Sequence, residues 1–136
     1  MCETLRQAVA REPYAQRMGM RCLHLEPGLA RVEMTAGPDT ANVFGMVHGG
    51  AVFSVLDEAF QLACNTHGTV TLALNISVTY VRAAQPGDVL TAEVREVAAT
   101  ARTATYEARV TRGDGELVAV GQTLAYRKSE PLHLSE

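Results

Sequence analysis

The most apolar segment of the chain follows a loop that ends in His48, Gly49 and Gly50. Ten of the fourteen residues from 51 to 64 are apolar, and they cover nearly the whole circumference of a helix. This pattern predicts a helix that is buried on most sides. One narrow polar line remains on it, formed by Ser54, Glu58, Gln61 and Asn65.

Asp57 lies in the middle of this helix, about 100° around the axis from Glu58. Acidic side chains are rarely buried unless they have a partner or a task. Taken alone, Asp57 is therefore either a catalytic carboxyl group or half of a structural ion pair with an arginine. Glu58 is expected to be a satisfied residue of the polar line, and it is the alternative base if the helix register differs.

The other segments have the two-residue period of strands. Tight turns separate them, such as 26–28 and 113–115. A short helix is predicted over 2–11 with Pro13 closing it, and a frayed polar tail over 129–136. The predicted strands are 20–26, 30–35, 70–82, 89–97, 102–112 and 116–127.

This order, β-β-α-β-β-β-β, predicts a single α+β domain over residues 1–136. Consecutive strands joined by tight turns favour one antiparallel sheet. A helix that is apolar almost all round has to be surrounded by that sheet. Strands of ten or more residues are longer than usual, as wrapping around a helix requires.

Composition narrows the class of protein. A chain of 136 residues, 47% of them apolar and 20% charged, can form a full hydrophobic core. The net charge of −3 argues against a nucleic-acid partner. Cys2, Cys22 and Cys64 are odd in number and widely spaced, which favours free thiols in a reducing compartment, with Cys64 in the core. Because no leader or membrane-length apolar run is present, a cytoplasmic protein without a membrane partner is expected.

Three segments resemble a known family: HGGAVFSVLDEAFQLACN at 48–65, TYVRAAQPGD at 79–88 and ARTATYEARV at 101–110. Together they are similar to the hot-dog fold acyl-CoA thioesterases of the PaaI-like, phenylacetate-degradation-associated group. The similarity extends from about residue 17 to 127, and the spacing from HGG to Asp57 is its specific part. It implies a hot-dog fold, hydrolysis of coenzyme A thioesters, and dimers paired into homotetramers.

The predicted helix carries groups suited to such a reaction at its start and in its middle. Gly49 and Gly50 stand at its start, where backbone N–H groups have no intrahelical partner and favour negative charge. Asp57 supplies a general base, or a nucleophile that forms an anhydride. The HGG sequence eight residues before it favours a catalytic role for Asp57 over a structural ion pair.

A distance argument then predicts a shared site. Gly49 and Asp57 are eight positions apart, which is roughly 12 Å along one helix. One scissile carbon has to lie within about 3 Å of both groups. We therefore expect Gly49 of one chain to face Asp57 of a second copy in a homodimer.

The resemblance also implies roles for residues outside the helix. Asn42 is expected to position the thioester carbonyl, although it is equally consistent with a turn residue. His48 is expected to bond the loop backbone rather than to act as a base or metal ligand, and neither a metal nor a cofactor is predicted. Coenzyme A is part of the substrate, and its pantetheine and nucleotide are expected to run along the edge formed by Tyr80, Val81, Arg82 and Ala83.

Arginine pairs well with phosphate, so Arg82 and Arg102 are the candidates for contacts with the nucleotide, or else ordinary solvated strand residues. The acyl group is expected beside Phe53, Leu56 and Phe60. Aromatic acyl groups such as phenylacetyl fit the resemblance, and medium-chain acyl groups are the alternative.

Ala73 stands where some relatives have a hydroxyl residue, and Ala83 where they usually have proline. A hydratase or dehydratase and a non-catalytic acyl-CoA sensor are the alternative functions.

Overall fold

The computed structural model describes residues 1–135 as a six-stranded antiparallel sheet around one long helix. The predicted architecture is therefore confirmed. The elements are α1 (Cys2–Arg11), α2 (Pro13–Met18), β1 (Met20–Glu26), β2 (Leu29–Thr35), α3 (Gly49–Asn65), β3 (Thr69–Tyr80), β4 (Val89–Ala99), β5 (Thr103–Thr111) and β6 (Leu117–Pro131). The strand order in the sheet is β1-β2-β4-β5-β6-β3.

The long helix α3 forms the centre of the core. Its residues Val55, Leu56, Ala59 and Leu62 are fully buried, and it packs against β2, β4 and β3. None of the helices within residues 1–135 has the length and apolarity needed to span a membrane. The many aliphatic residues of the chain thus form one core around this helix.

The C-terminal end of α3 is held by side-chain hydrogen bonds. The Oδ1 of Asn65 accepts from the N–H of Thr71 at 2.9 Å, and its Nδ2 donates to the carbonyl of Thr71 at 3.1 Å. The Oγ1 of Thr66 accepts from the N–H of Gly28 at 2.8 Å. These bonds fix the helix to β3 and to the β1–β2 turn, so its position relative to the sheet is well defined.

The N-terminal segment contains a helix that the sequence analysis did not predict. Pro13 ends α1, as expected, but it also occupies the first position of α2, where its missing N–H costs nothing. Glu12 joins the two helices in an extended conformation with φ −67° and ψ 120°. The turn at Glu12 brings its side chain toward α3.

The last strand is longer than predicted. It continues past residue 127 to Pro131, which pairs with Thr69 of β3. Leu132 then donates to the carbonyl of Gly68 at 2.9 Å, and Leu134 packs against the core. The segment that was expected to fray from residue 129 therefore begins as paired strand. Glu136, also part of that predicted tail, lies outside the described residues.

Strand β3 forms one edge of the sheet and exposes apolar side chains. It pairs only with β6 among the strands of residues 1–135. Leu72 and Leu74 on it are 52% and 58% exposed. An unpaired edge with apolar residues is a template for pairing with another strand.

Candidate active site

The start of α3 presents one free backbone donor. His48 caps the helix, and its Nδ1 accepts from the N–H of Gly50 at 2.8 Å. Its carbonyl accepts from Ala51 and Val52 at 2.9 and 3.3 Å. Among the hydrogen bonds within residues 1–135, the N–H of Gly49 has no acceptor. The structural role expected for His48 is observed, whereas the expectation of a free donor at Gly50 is wrong because His48 occupies it.

Tyr80, at the end of β3, lies directly over the first turn of α3. Its hydroxyl donates to the carbonyl of Gly49 at 2.9 Å. A Cβ atom placed on Gly49 would lie only 3.2 Å from the Cζ of Tyr80. The absence of a side chain at Gly49 is therefore what allows this approach.

A cleft of about 280 Å³ is lined in part by Gly49, the residue with the free N–H. Val52 of α3 lies on one side of it, and the end of β3 with the following residues forms the other. The structure thus brings together the predicted residues Asn42, Gly49, Tyr80, Val81, Arg82 and Ala83.

Asn42 organises the loop that borders this cleft. Its Oδ1 accepts from the N–H groups of Phe44 and Met46 at 2.9 and 3.1 Å. This is the turn role that the sequence analysis gave as the alternative for this residue. Because the side-chain oxygen is already bonded, only the amide nitrogen of Asn42 is left to contact a ligand.

The two predicted phosphate-binding arginines are not close to each other in one chain. Arg82 borders the cleft, where its Nη1 lies 3.4 Å from the Oε2 of Glu116. Tyr80 pairs with Ala119 of β6, whereas Thr103, next to Arg102, pairs with Tyr126. Seven strand positions correspond to roughly 24 Å. Within a single chain the two arginines therefore lie in different places, and the role of each in phosphate binding stays a prediction.

Only one of the three predicted acyl-group contacts is accessible. Phe53 is half-buried on the open side of α3. Phe60 is 1% exposed and packs edge to face against Tyr106, with ring centroids 5.5 Å apart, and Leu56 is fully buried. Phe60 and Leu56 belong to the core, because the sheet closes over their side of the helix.

Asp57 lies on the open side of α3, in a half-buried position. Burial raises the pKa of its carboxyl group above the ordinary value, and the nearby charge of Glu12 raises it further. Asp57 is on the same helix as Gly49, two turns away. The structure therefore agrees with the prediction that one chain cannot place both groups on one carbon atom.

Glu58 is buried, and its carboxyl group is hydrogen-bonded within the chain, whereas the prediction placed its partner at an interface. It is 4% exposed, and the Nε2 of Gln61 donates to both its Oε1 and the Oε2 of Glu12, at 3.2 and 2.9 Å. Burial and hydrogen bonding to Glu12 raise the pKa of Glu58 to about 8. Glu12 was missed because nothing local in the sequence indicates that the α1–α2 joint reaches α3.

A second cleft, of about 510 Å³, lies on the other side of the start of α3. Ser54 donates to the carbonyl of Gly50 at 2.8 Å, so the hydroxyl of Tyr14, 2.6 Å from the Oγ of Ser54, donates in turn to it. Arg17 also borders this space. This cleft was not predicted from the sequence, because α2, which forms part of its wall, was not predicted either. No cluster of three metal-binding side chains occurs within residues 1–135.

Comparison with known proteins identifies the class. The family model described as "Thioesterase superfamily" matches residues 44–119, more than half of the chain and including the start of α3, Asp57 and β3. The chain belongs to the thioesterase superfamily and has its hot-dog fold.

Individual relatives define the group more narrowly. A putative esterase of Archaeoglobus fulgidus is 40% identical over 81% of this chain and 71% of its own length. The acyl-coenzyme A thioesterase PaaI of Escherichia coli is 28% identical over 83% of this chain and 81% of its own. The structure of the E. coli PaaI protein superposes with a TM-score of 0.92 at 24% identity, covering 96% and 95% of the two chains. The TT0310 protein of Thermus thermophilus is 36% identical, with a TM-score of 0.83, covering 87% and 99%. The enzyme is thus a PaaI-like thioesterase.

Proposed function

We propose that this enzyme hydrolyses acyl-CoA thioesters to a free acid and coenzyme A. The observation that carries the proposal is the unpartnered N–H of Gly49, a residue that lines a cleft also bordered by residues 80–83. E. coli PaaI, an acyl-coenzyme A thioesterase, is a relative over most of the chain. From the cleft at Gly49 and from this relative we infer that the substrates are acyl-CoAs.

The Gly49 N–H stabilises the oxyanion that forms when water or a carboxylate attacks the thioester carbonyl. It stands at the positive end of the α3 dipole, where negative charge is favoured. One well-placed donor of this kind contributes about 10²–10³ in kcat.

Asp57 activates water as a general base, or attacks the thioester carbon directly. In the second case the C–S bond breaks, coenzyme A leaves as the thiolate and takes up a proton, and water then cleaves the mixed anhydride to the free acid and the Asp57 carboxylate. Its half-buried position keeps the carboxylate poorly solvated and therefore basic. In the proposed dimer, Asp57 of one chain faces Gly49 of the other. The exposed edge of β3 and the open side of α3 are the surfaces available for this pairing.

Arg82 binds a phosphate of coenzyme A at the mouth of the cleft, and the pantetheine chain runs past Tyr80 to Gly49. The accessible ring of Phe53 contacts the acyl group, which we propose to be aromatic, such as phenylacetyl, or medium-chain. Two such dimers form a homotetramer.

The shared site is tested by mixing two inactive variants. Asp57→Ala removes the carboxylate, and Gly49→Pro removes the N–H. The backbone at this helix start accepts proline, because His48 before it is extended with ψ 137°, although the ring also presses on Tyr80, whose Cζ is 3.2 Å from the Cβ position. Thiol release from a panel of acyl-CoAs should fall by about 10²-fold or more for each variant alone. Refolding an equimolar mixture should restore about a quarter of wild-type activity, since half of the chains enter heterodimers with one intact site each.

Two outcomes contradict parts of this proposal. Heterodimers that form but stay inactive would show that each site lies within one chain. Acyl-CoA binding without thiol release by the wild type would indicate a sensor instead of an enzyme.

A further inference from the structure

The peptide group between Gly49 and Gly50 is held from two opposite directions. Its N–H donates to the Nδ1 of His48 at 2.8 Å. Its carbonyl oxygen accepts from the hydroxyl of Tyr80 at 2.9 Å. The preceding peptide group carries the unpartnered N–H of Gly49, so the free donor lies directly beside a peptide that is fixed at both polar atoms.

The two glycines are a second sign that this peptide group is closely held. The side chains that bond to it lie against the positions that Cβ atoms would take. A Cβ on Gly49 would lie 3.2 Å from the Cζ of Tyr80, and one on Gly50 would lie 3.0 Å from the Nδ1 of His48. Neither glycine has a positive φ. Glycine is therefore favoured at both positions by the close approach of these two side chains and not by the backbone conformation.

We propose that Tyr80 and His48 are positioning residues that clamp the Gly49–Gly50 peptide and thereby aim the Gly49 N–H at the substrate oxygen. This inference rests on the proposed thioesterase mechanism. Two adjacent glycines have wide conformational freedom, and an oxyanion donor is effective only within about 2.7–3.1 Å of the charge it stabilises. The clamp removes that freedom without occupying the donor.

The proposal changes the role given to the Tyr80 hydroxyl. The sequence analysis placed Tyr80 among the contacts to coenzyme A, but its hydroxyl is bonded to Gly49 in the free protein. The ring is 51% exposed and can still line the cleft. Removing the hydroxyl alone should consequently affect catalysis and not substrate binding.

Steady-state kinetics of Tyr80→Phe test this separation. We expect kcat for an acyl-CoA to fall about tenfold with KM changed by less than about twofold, because the aligned transition-state contact is weakened and the ring remains. Tyr126→Phe is the matched control, since Tyr126 lies on β6 away from the cleft and is similarly exposed at 38%. It should keep wild-type kcat and KM.

Variants of His48 test the other half of the clamp. His48→Ala should lower kcat to a similar extent, and His48→Asn should restore most of it, because asparagine accepts the same hydrogen bond at a helix start. The double variant with Tyr80→Phe should lose less than the product of the two single effects, since both side chains hold one peptide.

Amide hydrogen exchange gives a readout that does not depend on turnover. Peptides covering residues 44–53 should exchange faster in Tyr80→Phe and His48→Ala, and as slowly as wild type in Tyr126→Phe and His48→Asn. If kcat and exchange of Tyr80→Phe equal those of wild type, the clamp is refuted. If the wild type cleaves no thioester while exchange still responds as described, the proposed function fails and the clamp remains.

Discussion

The pair formed by the buried Glu58 and the half-buried Glu12 affects the charge near Asp57. Both carboxyl groups accept from the amide of Gln61, and two carboxyl groups this close cannot both ionise at low cost when one of them is buried. With the pKa of Glu58 at about 8, the pair holds a proton at neutral pH. Asp57 on the same helix and Cys22 on β1 feel the charge of these groups, and the pKa of each is raised mainly by burial.

Stability should therefore fall as pH rises. The folded protein holds a proton on Glu58 that the unfolded chain releases near pH 4.5, so the free energy of unfolding decreases from about pH 5 up to about pH 8. Glu58→Gln keeps a hydrogen-bonding group without titrating, and its melting temperature should change with pH by at least about 4 °C less than that of wild type. Thermal melts from pH 5 to 9 measure this. The exposed Glu107→Gln should follow the wild-type curve, and an identical curve for Glu58→Gln would disprove the shared proton.

Among the elements, the pairing of β3 with β6 matters most for the site, because β3 carries Tyr80 to the start of α3. The two strands are close enough at Gly121 that a Cβ there would lie 2.6 Å from the carbonyl oxygen of Ser77 and 3.6 Å from the Cδ1 of Leu56. A side chain at this position has no direction in which to relax. Gly121 thus sets the spacing between two strands and the helix beneath them.

Gly121→Ala should lower the free energy of unfolding by about 2 kcal/mol or more, since the added methyl group forces β3 away from β6. Gly113→Ala is the matched control: Gly113 also has no positive φ, and the nearest atom to an added Cβ is 4.0 Å away. It should change stability by less than about 0.5 kcal/mol. Urea unfolding followed by circular dichroism compares the two, and equal small losses would contradict the tight contact at Gly121.

The sequence predicts elements better than it predicts their contacts. Periodicity located α3 and the six strands because the two faces of each element differ in polarity. The burial of Glu58 depends on α1 and α2 folding back across α3, which no local pattern records. The distance between Arg82 and Arg102 likewise depends on which strands pair and in what register. The separation of Gly49 and Asp57 could be predicted because spacing along one helix is fixed by helix geometry alone.

For the whole molecule, the exposed edge of β3 is the feature that the proposed dimer would cover. Leu74 lies near the middle of this strand, so a twofold antiparallel pairing brings its two copies close together. An apolar side chain suits that position and a charged one does not.

Leu74→Lys should therefore yield monomers and lose most thioesterase activity, because the two lysines repel and the shared site is not assembled. Val97→Lys is the control, since Val97 on β4 is 55% exposed, much like Leu74 at 58%, but lies away from this edge. Light scattering coupled to size exclusion, with thiol release on the same fractions, measures both. A dimeric and fully active Leu74→Lys would rule out pairing through β3.

The joint at Glu12 has a consequence for how this enzyme adapts. Its carboxyl group adds to the effect of burial in raising the pKa of Asp57, and it belongs to a different part of the chain from α3. In the proposed mechanism, substitutions in the first dozen residues thus shift the acidity at which Asp57 works while α3 itself is unchanged. Under that mechanism, enzymes with an identical helix can suit surroundings of different acidity.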